Sequence, residues 1–302
     1  MEKIKVNMLN DVFFKALLCD DRHKELTLNF LNSILNRTGE QAFCDLEFLD
    51  KELDPIIDAG KVSILDIRAK MNDNTQVNIE VQIAKPKDMK KRAVFYWAKL
   101  YSYQISEGED YSLLNDVISI NLLNFRLFTN HDRCHTACHI TDDFDKKTVI
   151  KDFEMHFIEL PKFKLGDIKR LRKSEKWIAL FSNKCTDEEL EEIAMSEPAI
   201  KKALEYQAYF MHDAKLRHKY ELQEKAIRDY NSSMLAVKEE SLQQGIQIGV
   251  KQGIQQGIQI GEKESMKKMA IKMLTRGDSI EEIADMTELS IAEIEQLKNS
   301  QQ

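Results

Sequence analysis

The alternation of apolar and polar positions is sharpest over residues 64–83, ILDIRAKMNDNTQVNIEVQI. Residues 64–71 and 76–83 are rich in β-formers, and Asn72, Asp73 and Asn74 between them tolerate positive φ, so the stretch predicts a β-hairpin. Two acids interrupt the apolar runs, Asp66 in the first and Glu80 in the second. Gln82 follows Glu80 at i+2 and shares its face of the strand. Register decides whether Asp66 joins them. A three-residue loop sets Met71 opposite Thr75 and Asp66 opposite Glu80, whereas a two-residue loop turns the acids to different faces. Like charges directly opposite repel. A hard divalent cation, magnesium or calcium, is the obvious group to offset them. Acids on the solvent face of a half-exposed strand give the same pattern without any site.

The rest of the chain alternates between strand and helix signals. Phe13, Phe14, Leu17 and Leu18, then Leu28, Phe30, Leu31, Ile34 and Leu35, recur at helical spacing and predict one helix or two over residues 11–36. Leu46, Phe48 and Leu49 mark a short strand. An amphipathic helix follows the hairpin and runs to about Ser106, with Ala93, Tyr96, Trp97, Leu100 and Tyr103 on one side. Residues 117–128 form a nearly continuous apolar run, which fits a strand buried on both faces. Residues 154–160 read as another short strand, stopped by Pro161.

From Leu165 the pattern is helical to the end. Thr186 with Glu189, Ser279 with Glu282 and Ser290 with Glu293 form capping boxes, and Pro198 opens a helix. A long charged helix covers about residues 199–242. A repeat then places Gly245, Gly249, Gly253, Gly257 and Gly261 four residues apart, with Ile246, Val250, Ile254 and Ile258 after the first four. Each interior glycine costs a helix about 1 kcal/mol relative to alanine, so the segment is not expected to be stable alone. A small-residue stripe beside a β-branched one suits close contact with a second copy; a flexible linker gives the same composition. The last two helices share helix-turn-helix spacing, but residues 277–302 carry seven acids against Lys298. Phosphates would repel such a recognition helix, so the segment reads as a packing or oligomerisation module. Three regions follow: 1–165, 166–242 and 243–302.

Composition narrows the class. The 302 residues are 43% hydrophobic and 31% charged, which fits a soluble globular protein with a substantial core. The start of the chain has neither a long apolar run nor a cleavage site, so no secretory signal is expected, and no stretch is long enough to span a bilayer. Five cysteines without framework spacing suggest a reducing compartment, hence the cytoplasm. His131, Cys134, His135, Cys138 and His139 have zinc-like spacing, but no second cluster supplies a paired half-site, and zinc is not expected. A net charge of −7 argues against a protein coated in basic surface, though not against a local basic groove. Lys85, Lys87, Lys90, Lys91 and Arg92 crowd beside the hairpin against one acid, Asp88. A solvated helix start gives the same run, yet cations there oppose the helix dipole, which favours a used surface. Cations that hold a backbone, beside carboxylates that hold a metal, are what an enzyme acting on phosphodiesters needs.

These pieces resemble the Rpn-type recombination-promoting nucleases, also described as transposases, of the PD-(D/E)XK nuclease superfamily. DVFFKALL resembles the opening helix, DPIIDAGKVSILDIRA with NIEVQ the catalytic strands, and KRAVFYWAKLYSYQI the helix behind them. VISINLLNF resembles the following core strand, FIELPKF the closing element, and the glycine repeat with SIEEIADMTELSIAEIEQL the family's usual tail, so the likeness covers essentially the full chain. The resemblance implies an α/β fold: a restriction-endonuclease-like mixed sheet flanked by helices, followed by an all-helical C-terminal region. It implies a metal-dependent DNA endonuclease of little sequence specificity, in which Asp66 and Glu80 bind Mg²⁺, or Mn²⁺ or Ca²⁺ in its place. The superfamily's third catalytic position is normally lysine, and here it is Gln82. An amide carries no positive charge, but it can orient a water by hydrogen bonds. Lys15, Lys61 or Lys85 is left to supply the cation, with Asp11 and Lys15 in supporting roles on the first helix. DNA is the expected partner, through Lys85, Lys87, Lys90, Lys91 and Arg92, and the tail is expected to assemble copies into a homo-oligomer. A catalytically weak scaffold that binds DNA or regulates is the rival reading.

Overall fold

The computed structural model describes residues 6–49 and 67–300, with the backbone alone at Tyr230 and Asn231. The first apolar stretch forms two helices, α1 (Asp11–Leu18) and α2 (Lys24–Ile34). Asn10 caps α1 by accepting the Val12 and Phe13 N–H groups, and Asp20 accepts the Arg22 N–H to start a separate 3-10 turn over Asp21–His23. That second cap is why the run divides.

The hairpin consists of β2 (Ile67–Met71) and β3 (Gln76–Gln82), paired Ile67↔Ile79, Arg68↔Asn78, Ala69↔Val77 and Lys70↔Gln76. The Met71 N–H donates to the Thr75 carbonyl at 2.8 Å and the Asn74 N–H to the Met71 carbonyl at 2.9 Å. Asn74 takes a φ of 68°. A left-handed residue in that place closes a three-residue loop, and Asn tolerates it. The pairing is therefore the one that such a loop dictates. Asp66 and Lys61 lie outside the described residues.

Among the described residues the strands form one sheet in the order β1-β2-β3-β4-β6-β5, with β1 (Leu46–Phe48), β4 (Val117–Leu123), β5 (His135–Thr141) and β6 (Thr148–Glu159) completing it. β3, β4 and β6 run parallel, while β1–β2, β2–β3 and β5–β6 are antiparallel. Helix α3 (Met89–Ser102) runs back from the carboxyl end of β3 to the amino end of β4. It stops short of Ser106, since the Tyr103 N–H already closes on the Lys99 carbonyl. β4 ends at Leu123 and not near Phe128, because the Leu127 and Phe128 N–H groups turn to the Glu159 carboxylate.

The two sheet faces differ. Ile67, Ala69, Val77, Ile79, Ile118, Ile120 and Ile158 join one large core with Phe13, Phe14, Leu17 and Phe30 of the first two helices. α4 (Lys173–Ser182), α5 (Asp187–Ser196) and α6 (Pro198–His212) add Trp177, Phe181, Ile193, Ile200 and Phe210 to that same core. The first compact unit thus extends to Ala226, past the shift in composition near residue 165. The opposite face is covered by α3, where Met89 and Ala93 meet Leu123, Met155 and Phe157.

Helix α7 (Ala214–Arg276) begins in this unit, where the Tyr220 hydroxyl accepts the Asn7 N–H at 2.8 Å. The second unit, residues 227–302, carries α7 unbroken through the glycine repeat. Gly277, at φ 93°, ends the helix by donating to the Met273 carbonyl. α8 (Ile280–Thr287) and α9 (Ile291–Asn299) start at the capping boxes of Ser279 and Ser290, and Ile283, Leu289 and Ile294 pack on Ala270 and Met273. Among the described residues no helix is long and apolar enough to cross a membrane.

Candidate active site

Glu80 stands on β3, at the sheet's centre, and is 2% exposed. Gln82 shares its face, and the Gln82 Nε2 lies 3.5 Å from Glu80 Oε2. Across the parallel ladder Glu80 is opposite Asn121, and Asn78 is opposite Ser119. All four of these side chains are buried on the face that α3 covers. Read from the sequence, β4 is simply an apolar strand, and its polar row escapes notice; Ser119 and Asn121, two apart in VISINLL, are the signal that could reveal it.

The row is polar beyond what the fold itself uses. Asn121 Nδ2 donates to Ser119 Oγ at 3.3 Å and to the His156 carbonyl at 3.2 Å, which fixes which end of the amide is nitrogen. Its Oδ1 has no partner among the described residues, nor has either amide atom of Asn78. Burying such groups without partners costs about 1–3 kcal/mol each, so they call for a ligand or water. A carboxylate flanked by amide oxygens is a hard-oxygen donor set, and it fits a magnesium- or calcium-like cation. Glu80 and the Asn121 Oδ1 could hold such an ion.

α3 sets cations over this face. Trp97 and Tyr101 lean on β6, through Phe153 at 4.7 Å and Asp152 at 2.6 Å. The neighbouring stripe of Arg92, Tyr96, Lys99 and Tyr103 therefore lies on the β3 side. Arg92 sits over the Tyr96 ring at 4.7 Å, and Lys99, 7% exposed, over Tyr103 at 5.4 Å. Because α3 runs antiparallel to β3, Arg92 is at the level of the Glu80–Gln82 end and Lys99 is near the amino end.

The five basic residues of the sequence cluster diverge. Lys90 sits over the Phe128 ring at 4.6 Å, Lys85 donates to the Arg126 carbonyl at 3.1 Å, and Lys87 and Lys91 are exposed. Asp11 and Lys15 pair with each other at 2.7 Å on α1, whose apolar side belongs to the core on the other sheet face.

Charge differs between the two ends of the sheet. The carboxyl end carries the basic loops. The amino end carries Asp73, Asp116, Asp152 and Glu154; burial, followed by the charges of Asp152 and Asp73, raises the Asp116 pKa. A polar cleft of 510 Å³ lies at that acidic end, lined by Arg37, Glu40, Asp73 and Glu154 among others. Phosphates are better received at the other end.

The His–Cys segment forms strand β5. His135 Nε2 and His156 Nδ1 lie 2.8 Å apart, and His156 Nε2 meets Glu154 Oε1 at 2.8 Å. Burial pushes the Cys134 thiol up to about 11 and raises that of Cys138, which disfavours the thiolates that zinc requires. Among the described residues no group of three or more His, Cys, Asp or Glu side chains is arranged to hold a metal ion.

A mixed sheet with a parallel β3–β4–β6 core, a crossover helix on one face and a buried acid followed at i+2 by a polar residue define a restriction-endonuclease-like nuclease domain. The chain belongs to the PD-(D/E)XK nuclease family transposases, whose family model matches residues 8–236. The glycine repeat and the last two helices lie beyond the matched span. No curated protein and no solved structure matches the chain.

Proposed function

We propose that this chain is a metal-dependent endonuclease that hydrolyses DNA phosphodiester bonds with little sequence specificity, in the service of recombination or of mobile or foreign DNA. The observation that carries the reading is the buried Glu80 beside Gln82 in a hairpin that pairs Ile67 with Ile79; Asp66, the residue before Ile67 in the sequence, is our candidate for the second carboxylate. Asp66 and Glu80 would hold the ion, with Asn121 Oδ1 as a neutral donor beside them. A magnesium ion there supplies a water of lowered pKa and offsets charge on the phosphate.

The chain's own groups do the rest. The Gln82 amide orients the attacking water, its oxygen accepting a hydrogen bond from the water and its N–H donating one to the water's oxygen. Arg92 gives the positive charge that Gln82 lacks, next to the scissile phosphate, where a fixed cation stabilises developing charge. Lys85, Lys87, Lys90 and Lys91 hold the DNA backbone. The tail assembles copies, so that two sites can cut both strands. The setting for this work is the cytoplasm.

The test is nicking of supercoiled plasmid by the wild type, Asp66→Ala and Glu80→Ala, with Mg²⁺, Mn²⁺, Ca²⁺ or EDTA. Metal-dependent nicking lost in both variants is expected. A folded wild type that fails to cleave with any of these metals overturns the reading. It would leave the scaffold alternative, which the amide at Gln82 favours.

A further inference from the structure

We infer that the loop of residues 124–133 forms a second wall of the DNA-binding surface, with Arg126 and Arg133 contacting phosphates; this rests on the nuclease reading. The loop leaves the carboxyl end of β4, beside the segment that leaves the carboxyl end of β3. In open α/β sheets, ligands bind outside these ends. The Asn124 N–H donates to the Gln82 carbonyl at 2.9 Å, directly after the candidate water-orienting residue. Lys85 Nζ ties the two segments together at the Arg126 carbonyl.

The loop is held from below by charge. Glu159 Oε1 accepts the Leu127 N–H at 2.5 Å and the Phe128 N–H at 3.1 Å. Lys162 Nζ donates to Glu159 Oε2 at 2.7 Å and to the Phe128 carbonyl at 2.6 Å. Both charged side chains are buried. Burying an ion pair gains little stability over an apolar pair of the same shape. What this one does is fix the backbone of an exposed loop in a single conformation. Phe128 seals it, edge-on to Phe157 at 5.4 Å, stacked on His131 at 5.5 Å and under Lys90.

On this base the guanidinium groups are displayed. Arg133 is exposed. Arg126 is 60% exposed, and its nearest acid, Asp132, is 3.7 Å away and 83% exposed, which is too loose and too wet a pair to occupy it. A backbone held in place and presenting two exposed arginines, with Lys85 tied to it, suits contact with phosphates. An acidic protein partner would find the same charge, but not the neighbouring carboxylate site that phosphodiester chemistry uses.

The experiment is fluorescence anisotropy of the full chain with a short labelled duplex in EDTA, repeated over a salt series. Arg126→Ala and Arg133→Ala should each weaken binding several-fold and lower the slope of log K against log salt by about 1. Lys201→Ala, an exposed lysine on α6, should match the wild type. Arg126→Glu should weaken binding further than Arg126→Ala. If the wild type shows no salt-dependent binding, the nuclease reading itself fails. If the wild type binds, and Lys87→Ala or Lys91→Ala lowers the slope while both arginine variants match Lys201→Ala, the loop is not a wall of the site.

Discussion

Glu159 Oε2 stands 2.7 Å from Lys162 Nζ, and neither side chain is more than 1% exposed. Breaking such a pair leaves one buried charge uncompensated, which costs about 3–5 kcal/mol. Lys162→Met and Glu159→Gln should each destabilise the first unit by that order. The double variant should cost clearly less than the sum, since no lone charge remains. Both tryptophans, Trp97 and Trp177, lie in the first unit, so urea unfolding followed by tryptophan fluorescence reads it alone. Additive losses would mean that the two side chains act independently.

Arg92 is expected to supply the cation that Gln82 does not. Arg92→Met should reduce plasmid nicking by about 10²–10³-fold, the usual effect of removing one stabilising donor, while metal binding measured by calorimetry stays near wild type. Adding Gln82→Lys to Arg92→Met should restore part of the rate, because it returns a positive charge to the strand face. An Arg92→Met protein that nicks at the wild-type rate would assign the charge elsewhere.

Asn121 is expected to face the same ion. Its Oδ1, opposite Glu80 and without a protein partner among the described residues, should donate to the bound ion. Asn121→Leu should weaken Mn²⁺ binding by about 10-fold, within the range for groups that tune a metal site. Asn121→Asp keeps an oxygen there but sets a second buried charge beside Glu80, so its thermal stability should become strongly dependent on Mn²⁺. Mn²⁺ affinity unchanged in both variants would exclude Asn121 from the ion's surroundings.

Much of this architecture is legible in the sequence, for identifiable reasons. The hairpin itself is legible in Asn72–Asp73–Asn74, but its register is not, because the sequence allows a two- or a three-residue loop and the left-handed Asn74 selects the latter. The last two helices begin where their capping boxes say, because Ser279, Glu282, Ser290 and Glu293 satisfy the first-turn donors locally. Tertiary partners are harder to read. The end of β4 depends on Glu159, far along the chain, whose carboxylate draws the Leu127 and Phe128 N–H groups out of the ladder. The basic run 85–92 looks like one patch in one dimension, but a helix turns about 100° per residue and sends Lys90 and Arg92 to opposite sides of α3. The polar row under α3 is hidden for a similar reason, since Asn121 in an apolar strand gains meaning only once Glu80 is placed opposite.

Acid should weaken the first unit in a window set by His135. Burial, then the charges of His156 and Arg172, lowers its pKa to about 4. The unfolded chain binds that proton near the usual value of about 6.5, so the native state is the poorer proton acceptor. The stability this group contributes is complete above about 6.5 and is lost as pH falls from there towards 4. Urea midpoints measured across that window should decline, and His135→Gln should flatten the decline. Glu154 acts lower. Burial raises its pKa, but the hydrogen bond and charge of His156 outweigh that and leave it below the ordinary value, so its contribution disappears only as pH falls through the carboxylate range. An equal slope near pH 6 in wild type and His135→Gln would assign the effect to another group.

The glycine repeat yields a prediction whose sign separates two models of the tail. A Cβ built on Gly245, Gly249, Gly253, Gly257 or Gly261 meets nothing within 4 Å, and none of them has a positive φ. Within one chain, alanine at these positions should therefore gain about 1 kcal/mol of helix stability each. If copies associate through this stripe, with Ile246, Val250, Ile254 and Ile258 exposed beside it, added methyl groups hold the helices apart. We expect the second behaviour: Gly249→Ala with Gly253→Ala should raise helicity by circular dichroism and lower the mass seen in sedimentation equilibrium. Higher helicity with an unchanged mass would show that the glycines serve no contact between copies. The exposed β-branched stripe would then be the next surface to test, and Ile254→Gln with Ile258→Gln should lower the mass if it holds the copies together.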